Sequence, residues 1–346
     1  MMKKDARLPQ RKDDHLKINL EQDVQSFTST GFEKIHLRHK ALPELDFDGI
    51  DLTLTLFKKQ LSAPILISSM TGGTAAGAAF NRTMALAAGQ CGIAMGVGSQ
   101  RAAIENPELR ESFGIRKFAP NALIFANLGA VQLNYGYGID ECKAAVDMLE
   151  ADALYLHLNP LQEALQPEGN HNFSGLLPKI EQVCRSLPVP VLVKEVGWGI
   201  GIETARQLLE VGVAGIDVAG AGGTSWAKVE MYRQPDPLRA SISAAFGDWG
   251  IPTARNLLEL RNLEGNPLIF ASGGLRDGVD LAKSLALGAR LGGFARKFLL
   301  AANLGETELV NQIEGIRAQL QVAMFACGVG SLPEWDINRL DGIERL

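Results

Sequence analysis

The chain is poor in the features that mark several broad classes. Its four cysteines, Cys91, Cys142, Cys184 and Cys327, are scattered over 346 residues and form no CxxC pair. That spacing excludes a disulfide framework and a thiolate zinc site, and it fits reduced thiols in the cytoplasm. No run of about 18 apolar residues is free of charges or breakers, so no membrane span is expected. The first fifteen residues are charged and lack an apolar core, which argues against a secretory signal. A clustered positive excess is missing too: the net charge is −5, whereas a nucleic-acid binder needs concentrated cations. An anionic ligand must therefore be held by local cations and backbone amides. There is no low-complexity segment and no sign of a second domain.

What is present is a repeat. Short apolar runs recur at 64–69, 93–99, 123–129, 153–159, 189–196, 215–220, 267–273 and 291–295, most of them ending in glycine or a small polar residue. Runs that are apolar on both faces suit parallel strands covered by helices. Helical spacing of apolar residues separates them at 82–89, 140–151, 176–186, 203–212 and 279–288. Eight such units predict one α/β fold, a single (β/α)8 TIM barrel. The rival, an open doubly wound sheet, usually has about six strands. The expected division is an N-terminal extension (1–62), the barrel (63–300) and a C-terminal helical tail (301–346). In the extension, 51–57 alternates like a hairpin strand that can plug the barrel bottom. The helical stretch 306–325 is expected on the outside, and 223–263 is long enough to form a lid over the mouth.

Catalytic sites of such barrels form at the C-terminal strand ends, and all eight ends here are polar or glycine-rich. Ser272-Gly273-Gly274 and Ala295-Arg296 can cradle a phosphate, because small residues admit backbone amides and a following helix start adds a favourable dipole. Gly222-Gly223-Thr224 can close the cup. Singly, such glycines equally make tight turns; three adjacent ends favour the phosphate. Lys194 ends a buried run and must find a partner in the mouth. It can stabilise charge on a reduced flavin, pair with Glu195 or another carboxylate, or form a Schiff base. His157, Asn159, Gln162 and Glu163 make the densest polar cluster; Glu163 can share Mg²⁺ with a diphosphate. Arg11-Lys12-Asp13-Asp14-His15 is either a solvated arm or an anion clamp folded over the mouth. Gly197-Trp198-Gly199-Ile200-Gly201 has the wrong spacing for a dinucleotide turn.

Nine ordered segments, RKDDH (11–15), MTGG (70–73), GSQR (98–101), ANLG (126–129), HLNPLQE (157–163), VKEVG (193–197), GGTSW (222–226), SGGLR (272–276) and GFAR (293–296), together resemble the type 2 isopentenyl diphosphate isomerases. The resemblance implies interconversion of isopentenyl and dimethylallyl diphosphate, with reduced FMN as acid and base, Mg²⁺, and NADPH as reductant. It implies that Met70, Thr71, Gly72, Ser99, Asn127, Lys194, Thr224, Gly273, Gly274, Ala295 and Arg296 line the FMN. Arg11, Lys12, Ser99, Arg101, Asn159 and Gln162 would hold the substrate, and Glu163 the Mg²⁺. Gln162, Lys194 and His157 would be the catalytic set, with Trp226 and Glu230 as pocket neighbours. A homo-oligomer of four or more subunits is also implied. Lys297 departs from the proline common at that position. Two other readings compete. A flavin-dependent 2-hydroxy-acid oxidase needs a histidine base near the seventh strand end, where Ser272 to Arg276 offers none. A flavin-storing protein does not require the polar cluster at the fourth.

Overall fold

The chain's apolar runs settle into a closed ring of parallel strands because each run satisfies two environments at once. The computed structural model describes residues 8–346; residues 1–7 of the expected N-terminal extension lie outside the described residues. The chain enters through helix α1 (Leu8–Glu21), a short strand β1 (His36–Leu37) and a hairpin of β2 (Leu54–Leu56) and β3 (Lys59–Leu61). The barrel strands follow: β4 (Ile65–Ile67), β5 (Ala94–Gly96), β6 (Ile124–Gly129), β7 (Ala153–His157), β8 (Val191–Lys194), β9 (Gly215–Asp217), β10 (Leu268–Ala271) and β11 (Leu291–Phe294). They pair in chain order, and β11 closes on β4.

Side chains alternate across a strand, and the two faces meet different cores. Leu66, Phe125, Tyr155, Leu192 and Phe270 pack with one another in the barrel interior. Ile65, Ile67, Ile124, Leu154, Val191, Val193 and Ile269 pack outward against the helices. Phe125 stacks on Tyr155 at 4.7 Å and meets Phe270 edge-on at 6.0 Å. Leu54, Leu56 and Phe57 of the hairpin pack against this inner cluster, closing the bottom.

The covering helices are α2 (Ala75–Cys91), α3 (Arg101–Glu105), α4 (Ile139–Leu149), α5 (Pro160–Leu165), α6 (Leu176–Ser186), α7 (Ile202–Glu210), α8 (Trp226–Arg233), α9 (Pro237–Ala244), α10 (Thr253–Leu260), α11 (Gly278–Ala286), α12 (Arg296–Leu304) and α13 (Glu306–Cys327). Helix α2 is longer than its periodicity predicts. Its alanine-rich start is a strong helix former, Thr74 caps it by accepting from the Gly77 amide, and Gly92 ends it in the left-handed region. Helix α13 packs on α2, α11 and α12, and β12 (Leu340–Asp341) pairs with β1. The stretch expected as a lid divides instead: α10 packs on α7 and β10, while α8 meets α1 over the mouth.

The loops after β9 and β10 interlock through glycine. A Cβ on Gly273 (φ +101°) would stand 2.1 Å from the Gly220 carbonyl oxygen, and one on Gly274 (φ +83°) 2.4 Å from that of Gly222. Gly273→Ala is expected to destabilise the protein by at least the 1–3 kcal/mol (roughly) of a forced left-handed backbone, read as a lower urea midpoint. An unchanged midpoint would show that the loops are free to separate.

Candidate active site

The interior alternation fixes what lies at the mouth. Two residues beyond the apolar inner layer, the inward positions hold Ser68, Asn127, His157, Lys194, Asp217 and Ser272, with Gly96 and Gly293 between them. This polar floor lies at the base of a cavity of about 600 Å³, in the size range of small-molecule sites. Gly273, Gly274, Ala295 and the start of α12 form one wall. No side chain caps the first turn of α12, so its amides are available to an anion. Among the described residues, Ser68 Oγ, Ser69 Oγ and Asn159 Oδ1 are buried without a hydrogen-bond partner. Each such atom costs about 1–3 kcal/mol unless a ligand or water satisfies it. A glycine phosphate cradle beside unsatisfied polar atoms and Lys194 fits an FMN.

The fourth strand end organises the opposite wall. Asn127 donates from Nδ2 to the Val97 carbonyl at 2.9 Å, which leaves its Oδ1 to accept from His157 Nδ1 at 2.8 Å. That fixes His157 as the Nδ1–H tautomer with Nε2 a free acceptor. Burial, then the Lys194 charge, lowers the imidazole to about 3, so the ring is neutral. Asn159 donates to Gln162 at 3.1 Å and to Glu163 at 3.0 Å. The other Glu163 oxygen accepts from the Asn170 amide at 2.5 Å. Gln162 in turn donates to Glu230 at 3.4 Å. Burial opposes ionisation of Glu230, but a 2.9 Å contact to His15 and the neighbouring Arg233 outweigh it and hold the carboxyl low.

Helix α1 lies across the mouth and supplies cations. Lys12 Nζ donates to the Gly72 and Ser99 carbonyls at 2.6 and 2.8 Å. Arg11 donates to Gln166 at 3.0 Å, and Arg101 to Glu105 and Asn170 at 2.7 and 3.1 Å. Burial first, then Arg11 and Arg101, pushes Lys12 down to about 7. A lysine held by carbonyls and repelled by two guanidinium groups lacks only an anion.

Most of the expected site residues converge on this cavity: Arg11, Lys12, Met70, Thr71, Ser99, Arg101, Asn127, His157, Asn159, Gln162, Glu163, Lys194, Thr224, Trp226, Gly273, Gly274, Ala295 and Arg296 line it. Gly72 and Glu230 are not on its wall. Gly72 gives its carbonyl to Lys12, and Glu230 stands behind His15 and Gln162. Arg296 directs its guanidinium to the Asn19 and Gln22 carbonyls, holding the end of α1. Lys194 donates to the Glu195 carbonyl, not to its carboxylate. The Glu195 carboxylate instead accepts the amides of Val196, Gly197 and Trp198 at 2.6, 2.8 and 2.7 Å, filling the turn that resembles a dinucleotide loop. Sequence reasoning missed Gln166, Asn170 and the Arg233–Glu168 pair beneath the arm. Asp217 of the floor was detectable by counting two beyond Gly215, as was the inward place of Ser272, two beyond Phe270, which was read only as part of the phosphate cradle.

The fold and the site define a class: a barrel whose strand ends are fitted to a phosphorylated flavin. The family model for FMN-dependent dehydrogenases matches residues 159–341, more than half of the chain. Flavocytochrome b2 with pyruvate bound shares the fold at a TM-score of 0.71, with 19% identity over 96% of this chain and 84% of that one. A mandelate oxidase variant does so at 0.65, with 18% identity over 97% and 98%. Nearer relatives are named isopentenyl-diphosphate delta-isomerase. One from Synechocystis is 51% identical over 95% of this chain and 96% of its own. One from Nostoc is 50% identical over 95% and 94%, and one from Rickettsia rickettsii 47% over 96% and 98%. The chain belongs to this family, in its FMN-dependent, type 2 branch.

The depressed Lys12 predicts a proton-linked anion site. At pH 8 Lys12 is mostly neutral, and an entering anion raises its pKa, so binding draws a proton from solvent. Calorimetry of inorganic pyrophosphate at pH 8 in buffers of different ionisation enthalpy should show net proton uptake that is lost in Lys12→Gln. Affinity should fall as pH rises through about 7. Uptake unaffected by the substitution would remove Lys12 from the anion site.

Proposed function

We propose that the chain interconverts isopentenyl diphosphate and dimethylallyl diphosphate on FMN bound in this cavity. The observation that carries this is the joining, in one cavity, of a glycine phosphate cradle with a second anion site built from Arg11, Lys12 and Arg101. One phosphate site serves a flavin phosphate; the second leaves room for a substrate that brings its own charge. When bound and reduced, FMN supplies an electron-rich face that stabilises cationic character on the alkene and a group able to exchange its proton.

The chain's residues do the remainder. Arg11, Lys12, Ser99 and Arg101 grip the diphosphate and leave the hydrocarbon end over the floor. Gln162, oriented by Asn159 and Glu230, faces the reacting carbons. Neutral His157 presents Nε2 as an acceptor without adding charge. Lys194 offers positive charge to the flavin ring. Glu163 is the metal ligand of this reading. Among the described residues, no group of three His, Cys, Asp or Glu side chains could hold an ion. One carboxylate suits Mg²⁺ only when substrate phosphate completes the shell, so the metal arrives with the diphosphate.

In this reading NADPH reduces the flavin, and the protein works in the cytoplasm as a homo-oligomer of four or more subunits. No helix among the described residues is long and apolar enough to cross a membrane. A 2-hydroxy-acid oxidase is disfavoured by the seventh strand end, which carries serine and glycine where that reaction needs a base.

The test is an anaerobic assay of isopentenyl diphosphate with Mg²⁺ and reductant. Dimethylallyl diphosphate should form, and only with reduced FMN present. Gln162→Ala should lower kcat/KM by about 10²-fold or more, in the range of lost acid–base support, while FMN still binds. Equal product from flavin-free protein would overturn the assignment.

A further inference from the structure

Three neighbouring strands each carry a titratable group at one level of the floor. His157 on β7 is the register partner of Lys194 on β8, and Lys194 that of Asp217 on β9. The reaction outlined above uses the first two and gives Asp217 no part. Asp217 is completely buried. Its Oδ1 accepts from Ser272 Oγ at 2.5 Å, while Oδ2 has no hydrogen-bond partner. The Tyr155 hydroxyl, one inward position below, faces the same carboxylate and, being neutral, cannot balance its charge. A buried carboxylate with an unsatisfied oxygen is costly unless an opposite charge faces it.

The Glu195 carboxylate attracts Lys194 less than Asp217 does, because it is turned onto three backbone amides. Glu195 gives Lys194 a carbonyl dipole but no directly bonded charge. His157 faces Lys194 from the other side as a neutral ring, and the positive field of Arg11 and Lys12 from α1 falls on that ring. Asp217 is the carboxylate that remains across the floor.

We infer that Asp217 is the counter-ion that keeps Lys194 protonated at the floor of the mouth before any ligand charge arrives. It is a positioning residue, one that never needs to touch substrate. Both partners resist charging when alone: burial lowers Lys194 and raises Asp217, and each opposes the shift in the other. With Asp217 in place, the ammonium stands ready for negative charge, which is electrostatic preorganisation. Without it, Lys194 is neutral in the resting site and takes a proton from solvent only when two electrons reach the flavin.

The inference rests on the FMN reading of the cavity but not on the isomerase reading. Its test is the pH dependence of the bound flavin's midpoint potential, measured with dithionite as the two-electron reductant. The slope gives the protons taken up per reduction. Asp217→Asn keeps the side chain's shape and its acceptor for Ser272; it is expected to take up one proton more than the parent. That extra proton resides on Lys194 Nζ, so it should disappear when Asp217→Asn is combined with Lys194→Met. Ser272→Ala keeps the carboxylate but removes its hydrogen bond, and should show a fraction of the extra proton. It carries the test if Asp217→Asn does not fold. An equal proton count in the parent and the testable single variant overturns the inference, as does an extra proton that persists with Lys194→Met. A parent that binds FMN but yields no isomerisation sinks the proposed reaction and leaves this count intact.

Discussion

Every inward-facing position of the barrel changes character at one level, and the site follows from that change. Below it the interior is leucine, phenylalanine and tyrosine, with Ala94 and Gly215 as the small members; two residues further along each strand it is serine, asparagine, histidine, lysine, aspartate or glycine. The period of two makes the switch abrupt, since no strand can turn an intermediate residue inward without slipping register. Charged groups are thus placed on a packed apolar layer, sealed below by the β2–β3 hairpin. A charge held there has little solvent to screen it, and each must be answered by another group of the protein or by a ligand.

The answers differ around the ring. The histidine is kept neutral by its surroundings and fixed in one tautomer by Asn127. The Glu195 carboxylate is satisfied by its own turn, although burial still pushes it up to about 7. The mouth above is closed by α1, whose Arg11 and Lys12 join Arg101 without a carboxylate to neutralise them all. That imbalance is local, because the whole chain is acidic. Helix α1 carries equal numbers of basic and acidic residues, but it places Arg11 and Lys12 on the cavity wall and so concentrates attraction for an anion at one opening.

The barrel was legible because two-faced burial leaves continuous apolar runs, and glycine closes most of the turns. The floor was less so. Lys194 stood out as a charge at the end of a run, whereas Asp217 sits inside 215–220 and reads as part of the strand until the inward positions are counted. Helix α2 exceeded its apolar spacing because alanine contributes propensity without pattern. The lid was misjudged in extent because α10, which packs against the barrel wall, lies within the same polar stretch. Arg233 with Glu168, and Arg296 with the end of α1, left no sequence signal, since partners 65 and 277 residues apart meet only once the barrel has closed. Arg296 lines the cavity as expected, and its side chain has the further task of holding the arm in place.

The central claim is that the cavity holds two separate anion sites, one at the glycine cradle and one beneath α1. The most direct measurement is a crystal structure of the protein with FMN, Mg²⁺ and isopentenyl diphosphate. The account predicts the flavin phosphate against Gly273, Gly274 and the start of α12, and the diphosphate between Lys12, Arg11 and Arg101, with Mg²⁺ on Glu163. A diphosphate seated elsewhere, with Lys12 still bonded to the Gly72 and Ser99 carbonyls, would contradict it.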